Sequence, residues 1–377
     1  MFKSFYFSLL LIFSINISTE PMDHMDHMDH MDHMKNHSAK MHGPIGLMGD
    51  HFHRKGESMV SIRYMKMHMN HNYLGTNKLF DQNILELPNP AGMPKNLSVV
   101  PQDMYMDMVM LGGMYAPSDY ITLMGMIMLE QKSMDLRSYK PMMARDKVGD
   151  FSTRSSGLSS INMSLLFKIL DRDGSKFHAQ LGLQSSIGKN NLKDNVLTPM
   201  GTINEMILPY GMQLGDKSYT LLSALTYSKT FEIWKFGGQI KSRINVKNDQ
   251  WNFGDSYETN LWVQRDLNQI AAWSLRLKFQ DIESIKGNNQ NINAPVQTAN
   301  PLNYGGKILT SGIGLNIMLP KGSVGLEFYK PITQDLHGPQ MGMNWGLQAG
   351  YHLSFYVYVS PGLRSVNIST LIIRRSI

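Results

Sequence analysis

Between Ala272 and Gln280 the side chains take turns without a slip. Trp273, Leu275, Leu277 and Phe279 fall on one face of an extended chain, and Ser274, Arg276, Lys278 and Gln280 fall on the other. The split recurs. Trp234, Phe236, Ile240 and Ile244 oppose Lys235, Gln239, Lys241 and Arg243. Ile313, Leu315, Ile317 and Leu319 oppose Gly312, Gly314 and Asn316. Trp345, Leu347, Tyr351, Leu353 and Phe355 oppose Asn344, Gln348, His352 and Ser354. A soluble sandwich turns such an apolar face inward, whereas a membrane barrel turns it to lipid and lines its lumen with the polar set.

Turn spacing favours the barrel. Short turn signals at Pro117–Asp119, Asp171–Gly174, Ser228–Phe231, Asn268–Ile270 and Pro320–Gly322 alternate with long stretches near 70–103, 133–155, 188–216, 246–255, 282–305 and 331–341. The pattern predicts an all-β, antiparallel transmembrane barrel of about twelve strands over residues 57–355. The starts fall near 57, 104, 120, 157, 175, 217, 232, 256, 271, 306, 322 and 342. Short turns and both barrel ends then lie in the periplasm of a Gram-negative cell, and long loops lie outside. Closure is needed because lipid satisfies no open sheet edge. A long loop such as 70–103 can fold inward and plug the lumen. Residues 356–377 run past the closing strand and read as an extension of unclear status, better a tail than another strand.

Targeting agrees. Lys3 supplies a positive start, Phe5 to Ile15 an apolar run, and Asn16, Ser18 and Thr19 a polar end, so residues 1–19 read as a signal peptide. No later run reaches the roughly 18 apolar residues of a spanning helix. The chain has no Cys, which excludes a disulfide framework and a thiolate metal site. Its net charge of +6 is scattered rather than gathered in a Lys/Arg run, which argues against nucleic acid.

Residues 20–56 form a His/Met-rich, low-complexity segment expected to be disordered in the periplasm. His24, His27, His30 and His33 recur every three residues among Met25, Met28 and Met31, and His37, His42, His51 and His53 continue the series. Imidazole suits Cu(II), nickel and zinc, and thioether suits Cu(I), so this tract is the candidate copper-binding segment. A drifting triplet repeat with incidental metal affinity explains it equally well.

The first strands carry methionine, of which the chain has 31, where a lumen face should be polar. Met65, Met67 and Met69 share a face of the first strand. Met104, Met106, Met108, Met110 and Met114 share one on the second, and Met124, Met126 and Met128 one on the third. The opposite faces carry Val60, Ile62 and Tyr64, then Val109, Leu111 and Tyr115, then Ile121, Leu123, Ile127 and Leu129. The methionines are therefore expected in the lumen, as a soft apolar lining or a weak Cu(I) path. Lys241, Arg243, Arg276 and Lys278 make a basic stripe expected to face the same lumen and favour anions.

Two stretches resemble a known family. One runs His42-Gly43-Pro44-Ile45-Gly46-Leu47-Met48-Gly49-Asp50-His51, on through His53, Lys55-Gly56-Glu57 and Ser61-Ile62-Arg63-Tyr64-Met65. The other is Val100-Pro101-Gln102-Asp103-Met104, leading to Met114-Tyr115-Ala116-Pro117-Ser118-Asp119. Both are similar to the outer-membrane transporter family of the phenol meta-cleavage-pathway type, uncharacterised Gram-negative β-barrels, over residues 42–355. The resemblance implies a transporter-like barrel and assigns neither substrate nor direction.

The expected function is an outer-membrane channel for small solutes, aromatic ones among the candidates; the alternative is a copper-handling barrel. Expected partners are outer-membrane lipid, the solute or a copper ion, and the barrel-assembly machinery. No cofactor is required. Catalysis is not expected, because barrel hydrolases need Ser, His and an orienting group at the rim. His178, His337 and His352, the later histidines, have no nucleophile motif beside them.

Overall fold

The computed structural model describes residues 39–141, 145–247, 250–357 and 373–374. No helix among the described residues is long and apolar enough to cross a membrane. The proposed copper ligands of the tail, His24, His27, His30, His33, His37, Met25, Met28 and Met31, lie outside the described residues, as does the signal segment.

Eleven extended segments form one ring: β1 (Glu57–Gly75), β2 (Val99–Tyr115), β3 (Ile121–Tyr139), β4 (Lys147–Arg172), β5 (Ser175–Ser186), β6 (Tyr219–Phe231), β7 (Trp234–Lys247), β8 (Ser256–Asp266), β9 (Ala271–Ile282), β10 (Gly306–Met318) and β11 (Ser323–Val357). Each pairs antiparallel with the next, and β11 pairs antiparallel with β1. A ring of alternating directions closes only on an even number of passes. Eleven segments satisfy this because β11, 35 residues long, doubles back. Its residues 323–336 pair with β10, and residues 340–356 pair with β1. Between the two limbs, the Gln334 amide donates to the Met343 carbonyl at 3.0 Å and accepts from its N–H at 2.9 Å. The barrel thus has twelve passes, and both its ends lie at the end where the short turns are.

Alternation sets the faces as expected. Val60, Ile62, Leu123, Ile127, Leu275, Leu277, Phe279 and Ile313 are exposed on the outside of the ring. Between them Gln180, Thr226, Gln239, Asn260, Gln264, Ser274 and Asn316 are buried inside it.

Several boundaries differ from expectation. Ser228–Phe231 continues β6, and the turn falls at Glu232 and Ile233, because Phe231 still pairs with Trp234. The two-residue turn at Asp173 and Gly174 has positive φ at both positions, 51° and 73°, which matches the twist of the strands it joins. β2 begins at Val99 rather than near 104, and β4 at Lys147 rather than near 157. The expected loop 133–155 is mostly strand. There Arg137 holds Asp150 at 2.8 Å across the β3–β4 pair, on a stretch whose polar side chains suit water rather than lipid. The expected loop 331–341 shrinks to the reversal near 337–339. Beyond the ring, Ile373–Arg374 pairs with Tyr356 and Val357, so part of the expected tail is a short strand.

Candidate functional site

Residues 39–53 are not a loose tail: they lie inside the ring near its turn end. A chain crossing a lumen must have its carbonyl groups satisfied. Here the inward side chains of the wall do so. Arg63 donates to the Ile45 and Leu47 carbonyls at 2.9 and 2.6 Å, and Gln239 to that of Met48 at 3.0 Å. Gln264 and Asn316 both donate to the His42 carbonyl, at 2.9 and 3.1 Å, and Lys235 donates to that of Met41 at 2.8 Å. His178 Nε2 lies 2.8 Å from the Gly49 carbonyl. Ile45 and Leu47 are buried, and a Cβ on Gly46 would collide with the Arg276 guanidinium and the Glu327 carboxylate. The expected disorder of residues 20–56 therefore fails from residue 39 onward. The apolar Ile45-Gly46-Leu47-Met48 run and its glycines were the available signal. The plug is this segment rather than loop 70–103, whose helix Asp81–Leu85 packs Ile84 and Leu85 on Leu97 and Val100.

A second closure lies at the loop end. Leu208, Met212, Ala294 and Val296, from the connections after β5 and β9, pack on Met104, Met134, Leu136 and Met341 of the wall. Lys132 donates to the Gln213 carbonyl at 2.7 Å and Gln297 to Asn72 at 2.6 Å, which ties these connections down.

Between the closures the wall has two halves. On β1–β3 the methionines meet in cross-strand pairs: Met65 opposite Met108, Met67 opposite Met106, Met69 opposite Met104, Met110 opposite Met128, and Met114 opposite Met124. Those beside the plug or the loop cap (Met59, Met104, Met110, Met114, Met124, Met126 and Met134) are buried, whereas Met65, Met67, Met106, Met108 and Met128 are half-buried. On β7 and β9, with β8 between them, Lys241, Arg243, Arg276 and Lys278 each have a polar, acidic or aromatic neighbour. Glu258 is the cross-strand partner of Lys241. Arg276 forms a two-pronged ion pair with Glu327, and its Nη1 reaches Asn260 at 2.8 Å. Arg243 reaches Gln184 at 3.3 Å, and Lys278 Nζ sits 5.6 Å from the Tyr329 ring centre.

No family model matches the chain, and no curated protein matches it. The barrel is similar to an outer membrane channel from Pseudomonas putida F1, at 13% identity over 82% of this chain and 100% of that one, with a TM-score of 0.54. The fold is that of an outer-membrane β-barrel. The beta domain of the Bordetella autotransporter BrkA aligns over 79% of this chain and 99% of its own at 13% identity, with a TM-score of 0.44.

The later histidines separate. His178 and His352 are buried inside the ring, while His337 lies at the loop end with its Nδ1 3.1 Å from Ser284 Oγ. His352 joins the plug histidines. Its ring centre is 5.2 Å from that of His42, which in turn stands 4.5 Å from His51, and His51 is 5.0 Å from His53. Burial, with His51 and His352 alongside, holds the His42 imidazole well below its usual range. Burial pushes the Asp50 carboxyl up, but His51, His42 and Arg63 together outweigh it and keep the group well below the carboxylate range. The knot therefore combines neutral imidazole with charged carboxylate. In sequence His42, His51 and His53 read as the end of the triplet-repeat tail, and nothing there showed that they fold into the ring beside Asp50 and His352.

Proposed function

We propose that the chain is an outer-membrane channel for small solutes, closed at rest by its own residues 39–53. The two-sided wall between plug and loop cap carries this reading. Thioethers offer an adaptable apolar surface, and Lys241, Arg243 and Lys278 on β7 and β9 supply cationic groups to the same lumen. A solute with an apolar or aromatic body and an anionic group fits both halves, in keeping with the phenol meta-cleavage-pathway resemblance. On this reading both barrel ends belong in the periplasm, a reading supported by the rule that long connections of such barrels face outward and short turns inward. The limb ending at Phe355 is the segment offered to the barrel-assembly machinery. The test is conductance in planar bilayers. We expect brief openings with a preference for anions, and that preference should weaken in K241Q/K278Q. A chain that forms no pore, or a selectivity indifferent to that double change, overturns the proposal.

A second reading, copper handling, is favoured by the directly opposed thioether pairs, since thioether suits Cu(I). On it, the tail His24, His27, His30, His33 and His37 with Met25, Met28 and Met31 captures the ion, and the methionine rows pass it on. Deleting residues 22–37 and replacing Met106, Met108, Met126 and Met128 by Leu should then lower the copper tolerance of the cell. Unchanged tolerance rejects this reading.

A further inference from the structure

The plug carries a second arrangement of its own. His42 and His51 stand at the two ends of the turn through Gly43–Asp50, and their rings meet edge to face. Asp50 braces that turn by accepting the Gly43 N–H at 2.6 Å. Its other oxygen is 3.0 Å from His51 Nδ1. One ligand atom from each of His42, Asp50 and His51 lies within 4.8 Å of the others. Ligands about 2.1 Å from a common ion stand at most about 4.2 Å apart, so a small rotation of the rings brings the three into a coordination shell.

Two further observations point to a ligand here. Buried imidazole nitrogens normally find a partner. Yet His42 Nδ1, His51 Nε2, His53 Nε2 and His352 Nε2 are all buried with no hydrogen-bond partner. His53 and His352 are only 4% and 5% exposed. Beside Asp50 and His51 there is also a cavity of about 20 Å³, walled by Met59, Met114, Met124 and Met126. That is room for about one water molecule or one ion. Arg63 also borders this cavity, but its guanidinium is turned to the Ile45 and Leu47 carbonyls and the Met48 sulfur, and the Asp50 carboxylate offsets its charge.

We propose that His42, Asp50 and His51 bind one divalent late transition ion, Cu(II) or Zn(II), and that the ion pins the plug in its turn. Two imidazoles and a carboxylate suit borderline ions of this kind, and three protein ligands leave a position open toward His352 or the thioether cavity. This site is separate from the triplet-repeat tail. Metal binding stands on its own; only its effect on opening rests on the channel reading.

The experiment uses the full chain in detergent with His24, His27, His30, His33 and His37 changed to Gln, so that the tail does not compete. Titration with Cu(II) and with Zn(II), against a chromophoric chelator, should find one tight ion per barrel. H42A and H51A should each weaken it by about 100-fold, and H337A at the loop end should leave it unchanged. The Cu(II) electron paramagnetic spectrum should show hyperfine splitting from two nitrogens, reduced to one in H51A. Because the His51 Nε2 and His42 Nδ1 atoms lack hydrogen-bond partners, both variants should keep the heat-modifiable gel shift of a folded barrel. A tail-silenced chain that binds neither ion, or an affinity and a two-nitrogen spectrum that H51A leaves unchanged, overturns the site. In bilayers the ion should reduce openings of the parent and not of H51A. Binding without any pore refutes the channel and leaves the site standing; a pore without binding does the reverse.

Discussion

Arg276 and Glu327 show what single side chains decide in this barrel. Both are almost fully buried, at 3% and 0% exposed, and they meet across an intervening strand. Arg276 stands opposite Gly312 and Glu327 opposite Gly314, on either side of β10. Those two glycines leave the space in which the charges meet; a Cβ on Gly312 would sit 3.2 Å from Glu327 Cδ. Breaking such a buried pair strands one charge, at about 3–5 kcal/mol, whereas replacing both partners by apolar groups is often nearly neutral. R276M should therefore lower the midpoint of unfolding in detergent, and R276M/E327L should recover most of the loss. A double variant as unstable as R276M alone would falsify this account. The inward direction of Arg276 was legible from its own strand. Its partner was not, because choosing Glu327 requires the register of three strands and the absence of two side chains between them.

At the scale of the element, the alternation of β9 fixes its cost of substitution. Leu277 is exposed outward and faces the hydrocarbon of a membrane. An arginine there should cost about 2–4 kcal/mol if it lies near the midplane, less toward either interface. Q280R, on the inner face where Gln280 donates to Glu258 at 3.1 Å, should be tolerated. Equilibrium unfolding into urea from phospholipid vesicles separates the two, and equal losses would remove the assignment of faces. Strand identity and facing were readable wherever lipid imposes a strict outer face. Strand length was not: β3 runs on past the apolar band with Gln131, Ser133, Asp135 and Arg137 outward, and β4 with Asp150, Ser152 and Arg154, where nothing obliges the outside to be greasy. The turn expected at Ser228–Phe231 failed for a related reason, since Ser, Lys and Thr suit a turn locally while cross-strand pairing carries them into β6.

At the scale of the whole molecule, the even number of passes, the clustering of both ends and the alternation of long and short connections were all readable. The two closures were not. Each is built from irregular chain that follows no period, held by backbone carbonyls meeting polar groups scattered around the ring. The methionine wall could be read as a set of rows, but its division into buried ends and a half-buried middle depends on what those closures cover.

The plug is also chained very short. Only Arg54, Lys55 and Gly56 separate the buried His53 from Glu57, the first residue of the ring. Three residues fully extended reach about 10 Å, and these are already fastened, Lys55 N–H to Asp119 at 3.0 Å and Gly56 N–H to the Ala116 carbonyl at 2.8 Å. If the proposed channel opens, the stopper swings on this leash and cannot drift away from the mouth it fills. Reseating is then a first-order event, governed by a local concentration that dilution of the protein does not touch, and dwell times in the open state should be the same for one barrel in a membrane as for thousands.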